Sequence, residues 1–224
     1  SLVYTPDDTT RMSLMAMYQL NHTDDQLYAH SAQGEYAKYS LFPAEADYDV
    51  RLISGRYEKD LGFGQLTAIL SNSRKQHDLH SDVSLSNGLR NYLPSGTAID
   101  SNEVMDIAMN TGELRFGSNI GDRIDYLVGA MFTITDMKTH TFTSAEGGTA
   151  AAMALQPTAE YDGTDNFSRI YSDRDGEEYA LFGEVNYHFN DAWTATFGGR
   201  LFDSSYSVKF DRYGYGYVPS QHPD

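Results

Sequence analysis

Apolar side chains recur at every second position along residues 178–201, EYALFGEVNYHFNDAWTATFGGRL, on both sides of a break at Asn190, Asp191 and Ala192. Successive side chains of a β-strand point to opposite faces, so a period of two predicts two strands joined by a short turn. The predicted apolar face comprises Tyr179, Leu181, Gly183, Val185, Tyr187 and Phe189, then Trp193, Ala195, Phe197, Gly199 and Leu201.

The same alternation recurs in two earlier segments, and no charged residue interrupts any of these faces. The repeated sets are Met12, Leu14, Ala16, Tyr18 and Leu20, and Tyr126, Val128, Ala130, Phe132 and Ile134. Charged residues make up 21% of the chain, so their absence from these positions needs a physical cause. A lysine or arginine on the lipid face of a membrane barrel costs about 2–4 kcal/mol at the bilayer midplane. The pattern therefore predicts strands with one face in lipid.

Three other segments follow the pattern less clearly. Two of them give apolar sets, the second of which is interrupted by Asp106 and Asn110: Gly64, Leu66, Ala68 and Leu70, and Val104, Ala108, Leu114 and Phe116. Residues about 48 to 58 are predicted to form a strand whose faces the sequence does not assign.

The connections between these segments alternate in length. Short breaks are expected at residues 6–9, 59–62, 118–123 and 190–192, and long polar stretches near 22–47, 77–102 and 136–175. Short turns at one end and long loops at the other are typical of outer-membrane barrels. The predicted fold class is therefore all-β, an antiparallel transmembrane β-barrel segment with short periplasmic turns and long extracellular loops.

Composition narrows the classes of function. The 224 residues carry a formal net charge of -16 and no cysteine, which argues against nucleic-acid binding and excludes thiolate chemistry. No run of about 18 apolar residues exists, so no transmembrane helix is expected. No nucleophile elbow, zinc-protease helix motif or phosphate-binding glycine loop occurs, and we expect neither an enzyme nor a cofactor.

Three segments resemble hairpins of TonB-dependent outer-membrane receptors. They are LGFGQLTAILSNS at 61–73, TGELRFGSNIGDRIDYLVGAMF at 111–132 and EEYALFGEVNYHFNDAWTATFGGRLF at 177–202, and the resemblance extends over residues 10–204. It implies a barrel of about 22 strands closed by an N-terminal plug. Residues 1–224 would form part of a single β-barrel domain, about seven or eight strands, with no plug domain in this stretch. The polar ends of the sequence lead us to expect a fragment of a longer chain.

The resemblance also implies a function and its partners. The chain would contribute to an outer-membrane receptor that imports a scarce nutrient, namely siderophore-bound iron, cobalamin or an oligosaccharide. Its partners would be outer-membrane lipid, that small-molecule or chelate substrate, and the energy-coupling TonB complex acting through a plug absent here. Two alternatives stay open: a passive porin or small complete outer-membrane barrel, and a soluble β-sandwich binding module.

Four charged residues are predicted to face the barrel lumen and to contact substrate. They lie at positions of opposite parity to the apolar faces: Glu113, Arg115, Glu184 and Arg200. A structural network within a polar barrel interior is the alternative role for these side chains. Trp193, with Tyr126 and Phe189 at the same end, is predicted to lie at the membrane boundary.

Four further groups of residues have side chains that could bind a ligand or an ion. Asp173, Asp175, Glu177 and Glu178 are predicted to surround a turn at Gly176, and Asp162, Asp165 and Asn166 form a looser acidic group. Both lack calcium-loop spacing and are interpreted as solvated surface charge. His77 and His80, with Asp78 and Asp82, offer too few imidazoles for a metal centre, so no metal site is expected. Loop tyrosines are candidates for stacking on a ligand: Tyr28, Tyr36, Tyr39, Tyr161, Tyr171, Tyr213, Tyr215 and Tyr217.

Overall fold

One antiparallel sheet of eight strands, paired in sequence order, accounts for most of the computed structural model, which describes residues 1–25, 34–35 and 37–216. The strands are β1 Leu2–Asp7, β2 Thr10–Thr23, β3 Ala46–Asp60, β4 Gln65–Asp82, β5 Asp100–Ile120, β6 Ile124–Ser144, β7 Asn166–Asn190 and β8 Trp193–Gly214. A 3₁₀ helix, Gly88–Tyr92, and an α-helix, α1 Gly148–Leu155, lie in the connections. The predicted all-β antiparallel fold is confirmed.

No helix among the residues described above has the length and apolar character needed to cross a membrane.

The lengths of the connections alternate as predicted. Short turns occupy residues 8–9, 61–64, 121–123 and 191–192, whereas the long connections join Thr23 to Ala46, Asp82 to Asp100 and Ser144 to Asn166. Consecutive strands are antiparallel, so all short turns lie at one end of the sheet and all long connections at the other. At the last short turn the Asn190 side chain accepts a hydrogen bond from the Ala192 amide at 2.9 Å, which fixes the tight reversal between β7 and β8.

The predicted long loops were too long, because the strands continue into them. The predicted loop over 136–175 is strand up to Ser144 and again from Asn166. β7 has 25 residues, or about 80 Å of extended chain, whereas a tilted membrane crossing needs about 9–11 residues. In these extensions polar residues predominate on both faces, so the chain has no regular apolar alternation to reveal a strand. Backbone pairing between β6 and β7 holds the extensions in strand conformation instead.

The strand register brings the apolar positions of all eight strands onto one face, here called the apolar face. One row of directly paired residues crosses the sheet without a charged member: Tyr4, Met12, Tyr57, Ala68, Leu114, Ala130, Leu181 and Leu201. The same pairing assigns the faces of β3, where Ile53, Gly55 and Tyr57 join the apolar face. Large side chains on this face are open to the surroundings, with Leu201 78% and Phe197 71% exposed.

The apolar stretch shifts steadily along the strands from one side of the sheet to the other. The middle residue of the apolar set is Ala16 on β2 and Phe197 on β8. If the stretch followed the register, its middle on β8 would be Ser205, because the row of paired residues that starts at Ala16 ends there. The stretch has thus moved eight residues, roughly 26 Å, over six strand-to-strand steps, roughly 29 Å. The strands would cross an apolar layer at about 40°, within the tilt range of closed barrels.

Aromatic rings lie across glycines on both faces of the sheet. Phe132 covers Gly112 on the apolar face, where an added Cβ would lie 2.1 Å from the ring. Phe182 covers Gly129 on the opposite face, where an added Cβ would lie 2.4 Å from the ring and 2.9 Å from the Leu114 carbonyl oxygen. These glycines leave room for rings that would otherwise stand away from the sheet.

A small hydrophobic core lies among the long connections rather than in the sheet. Its buried members are Leu89, Ile99, Ala145, Ala152 and Phe167. Helix α1 contributes Ala152, and the Tyr215 ring packs edge-on to Phe167 at 6.3 Å. This cluster, the loop core, joins two long connections, the start of β7 and Tyr215 into one packed unit at the long-loop end.

Candidate functional site

A belt of eight charged side chains lies on the face opposite the apolar face. Apart from Asp60 at the end of β3, these are the charged residues of four adjacent register rows on that face: Arg11, Arg56, Glu58, Glu113, Arg115, Glu178, Glu184 and Arg200. All four residues predicted from the sequence belong to this charged belt. The four cations and four anions balance within a chain of net charge -16.

Ion pairs connect most of the belt. Arg115 Nη1 lies 3.3 Å from Glu113 Oε1, and Arg200 Nη2 donates to Glu178 Oε1. On the neighbouring strands, Glu58 is contacted by two arginines, by Arg56 at 2.6 Å and by Arg11 at 3.9 Å. Most of these side chains are partly exposed, and pairs of this kind contribute about 0–1 kcal/mol each. The pairing supports a structural role for much of the belt.

Glu184 differs from the other charges of the belt. Its Oε1 accepts a hydrogen bond from Asn186 Nδ2 at 3.4 Å, and Asn186 Oδ1 accepts one from Thr196 at 2.6 Å. No cation of residues 1–25, 34–35 and 37–216 lies within ion-pair distance of this carboxylate. Glu184 therefore keeps a negative charge available to a contact from outside the sheet.

Glu113 also retains binding capacity. Its Oε1 is buried, and the nearby Arg115 guanidinium does not meet hydrogen-bond geometry with it. Buried carboxylate oxygens normally have a hydrogen-bond partner, so this atom is suited to accept a donor from another molecule or segment.

The four predicted residues share a face but do not form one compact site. Arg115 and Arg200 belong to the same register row, with Gly129 and Phe182 between them. Three inter-strand steps of about 4.8 Å separate their backbones. Sequence reasoning missed the other four members: Arg11, Arg56, Glu58 and Glu178. The parity of Arg11 relative to Met12 was available, but Arg56 and Glu58 needed the pairing of β3.

The predicted acidic turn at Gly176 was wrong. Residues 173–178 lie inside β7, and Gly176 does not adopt a positive φ. Strand alternation sends Asp173, Asp175 and Glu177 to one face and Glu178 to the other, so the carboxylates cannot surround one ion.

The looser acidic group is used within its own loop. Asp162 Oδ1 accepts hydrogen bonds from Thr164, and its other oxygen accepts one from Arg169 at 2.9 Å. The Thr164 hydroxyl is the main cause that lowers the pKa of Asp162. Asp165 caps the Gly147 amide at 3.2 Å. No cluster of three histidine or acidic side chains suited to a metal occurs in the described part of the chain.

The two predicted histidines point away from each other. His77 lies on the face of the charged belt and contacts Glu103 at 3.0 Å, whereas His80 lies on the apolar-face side and contacts Asp100 at 2.9 Å. Asp82 serves the connections instead, accepting hydrogen bonds from Ser40, Leu41 and Ser84. A metal shared by both imidazoles is excluded by this geometry.

The tyrosines of the loops divide into several environments. Tyr161 packs against the loop core, where burial, with a smaller effect of Tyr215, raises its pKa. Tyr171 and Tyr213 form an edge-on pair at 6.0 Å, and Tyr39 is 46% exposed. Tyr28, Tyr36 and Tyr217 lie outside the described residues. The candidates that the structure describes do not line one common pocket.

The aromatic residues predicted at the membrane boundary share one face and one end. Trp193 is 72% and Phe189 58% exposed beside the last short turn. Tyr126 lies near the neighbouring short turn, and its ring is 6.1 Å from that of Phe116. Their place at a lipid boundary remains a prediction.

A sheet with an apolar face whose central row carries no charge, a charged belt on the other face and strands tilted by about 40° corresponds to the wall of a membrane β-barrel. The chain belongs to the family described as TonB dependent receptor-like, beta-barrel, whose model matches residues 3–221. No curated protein matches the chain. The family comprises receptors and transporters rather than enzymes.

Proposed function

We propose that residues 1–224 form part of a single barrel domain in an outer-membrane receptor that imports a scarce nutrient. The observation that carries this proposal is the apolar face, which crosses all eight strands without a charge along its central row. Exposed apolar surface of this extent needs an apolar solvent or partner, and its tilt suits a bilayer. Family membership supports transport as the purpose of the barrel.

The sidedness follows from the connections. The short turns lie on the periplasmic side, and the long connections with the loop core lie outside the cell. Substrate would then meet the loop core before it reaches the lumen. The energy-coupling TonB complex would act through a plug, and outer-membrane lipid would surround the apolar face.

Within the lumen, Glu113, Arg115, Glu184 and Arg200 remain our candidates for contact with substrate or plug. Glu184 is the strongest of the four because no ion pair occupies its carboxylate. Arg200 is the weakest, since Glu178 already binds its guanidinium. The substrate classes considered are siderophore-bound iron, cobalamin and oligosaccharides, and a carboxylate such as Glu184 would suit a donor-rich ligand.

The test measures uptake by cells that carry the receptor containing this chain. Labelled ferric siderophores, cobalamin and oligosaccharides are supplied with and without a protonophore. We expect one class to accumulate only in energised cells and to bind with or without energy. Equal uptake in both conditions would indicate a passive barrel, and a protein that stays monodisperse without detergent would contradict the membrane location.

The contribution of Glu184 is tested with a matched pair of variants. Glu184→Gln should weaken substrate binding about tenfold, the usual scale for loss of one charged contact. Glu58→Gln is the control, because Glu58 is held by Arg11 and Arg56 within the wall. Equal binding by both variants would remove Glu184 from the site.

A further inference from the structure

Six of the eight methionines of the chain project from the face that carries the charged belt. They are Met15, Met17, Met105, Met109, Met131 and Met137, whereas Met12 is on the apolar face and Met153 is in α1. Met105 on β5 and Met137 on β6 lie near the long-loop end, where the opposite face carries Gln76, Asp106 and Lys138. This part of the lumen wall therefore lies beyond the apolar stretch, at the mouth of the barrel.

One histidine stands directly beside these thioethers. His77 pairs across the strands with Met105, and Met137 is the diagonal neighbour of Met105 on the next strand. Directly opposed residues have Cβ atoms about 5 Å apart, and diagonal ones about 7–8 Å. Met105 can bring its sulfur atom to the imidazole, because its side chain is flexible. Met137 lies two strands and two residues from His77, roughly 12 Å between Cβ atoms, so its sulfur atom is too far away to bind the same ion.

The hydrogen bonding of His77 leaves one ring nitrogen available. Its side chain is only 8% exposed, and Nε2 lies 3.0 Å from Glu103 Oε1. An ionised carboxylate only accepts, so Nε2 carries the proton and Nδ1 carries the lone pair. Nδ1 is buried and has no hydrogen-bond partner among the described residues. A buried acceptor without a partner requires an explanation.

This arrangement matches the chemistry of a soft metal ion. A metal-binding histidine usually donates its other ring N–H to a carboxylate, as His77 does to Glu103. Thioether sulfur favours Cu(I) over hard cations, and imidazole is compatible with it. We propose that His77 Nδ1 and the sulfur atom of Met105 form a binding site for Cu(I) or a similarly soft monovalent ion at the mouth of the lumen. Lys75 lies two residues before His77 on the same face, and its ammonium is 5.6 Å from the Tyr48 ring.

The test measures Cu(I) binding to the detergent-purified protein that contains this chain, by competition with a chromogenic Cu(I) chelator under ascorbate. Met105→Leu, which keeps side-chain volume, should weaken binding at least about tenfold, as should His77→Asn. Glu103→Gln should weaken it about 10–100-fold. Met131→Leu, on the same face four register rows away, should leave it unchanged.

Ag(I) provides a redox-inert probe and should give the same order of variants, while Zn(II) should bind much more weakly. Equal Cu(I) affinity in the wild type and Met105→Leu would overturn the site, and so would Zn(II) affinity as high as that for Cu(I). Heat-modifiability on gels confirms that each variant is folded. The assay needs no energised uptake, so its outcome is independent of the proposed import function.

Discussion

Gly129 shows how a single residue determines the packing on the lumen side. Alanine at this position would place its Cβ 2.4 Å from the Phe182 ring and 2.9 Å from the Leu114 carbonyl oxygen, so both ring and backbone would have to move. Overpacking of this kind costs about 1–3 kcal/mol. Urea unfolding in detergent should show that loss for Gly129→Ala. Gly55→Ala, also in a strand interior but with nothing within 4 Å of its Cβ, should show none.

Asp82 fixes two connections in a pH-dependent way. Burial raises its pKa, but hydrogen bonds from the Ser84 hydroxyl and the Leu41 and Ser84 amides outweigh this, and the net pKa is lowered. A carboxyl with a lowered folded-state pKa stabilises fully above its unfolded value of about 3.9, and loses that contribution as pH falls through the folded value. We expect the NMR shifts of both amides to titrate with a midpoint below about 3.9. A midpoint at or above 3.9 would contradict this role. An unchanged titration of the two amides in Asp82→Asn would contradict it as well.

Residue parity alone predicted the faces of Glu113, Arg115, Glu184 and Arg200, because each follows or precedes an apolar residue of an alternating strand. It could not predict their partners. Arg200 binds Glu178 across strands β7 and β8, and that contact depends on the register rather than on spacing in the sequence.

At the scale of the strand, adjacent residues of β6 test the two faces of the wall. Ala130 lies on the apolar face between Leu114 and Leu181, whereas Met131 lies on the opposite face beside Glu113. Ala130→Lys should cost about 2–4 kcal/mol in lipid, because the ammonium would enter the apolar layer. Met131→Lys should be nearly neutral, since Glu113 offers it a counter-charge. Equal losses in the folding free energy of the two variants, measured in lipid vesicles, would show that the faces are wrongly assigned.

The ends of strands were harder to predict than their centres. β7 was recognised from Tyr179 to Phe189, but its first part, from Asn166 to Asp175, was predicted to be loop. Polar residues predominate on both faces of that part, and Gly176 suggests a turn, so the local sequence does not favour a strand or assign its faces. Pairing with β6 and β8 decides the conformation there, and pairing is a long-range property. The loop core was missed for the same reason, because Leu89, Ile99 and Phe167 lie far apart in sequence.

At the scale of the whole molecule, the register and the apolar stretch follow different directions. The charged belt follows the register rows, from Arg11 on β2 to Arg200 on β8. The apolar stretch instead shifts toward the short-turn end across the same strands. If the apolar stretch marks a constant depth in the bilayer, the belt must rise around the lumen wall rather than form a ring at one level.

This tilt can be measured with single spin labels, since the chain has no cysteine of its own. Ala16→Cys and Phe197→Cys mark the centres of the apolar stretch on β2 and β8, while Ser205→Cys shares the register row of Ala16. For strands tilted by about 40°, labels at 16 and 197 should report the same depth in power-saturation EPR, and the label at 205 should lie roughly 20 Å nearer the long-loop side. Equal depths for 16 and 205 would mean upright strands, which would separate the apolar stretch from the membrane and remove the physical basis for a lipid-facing wall.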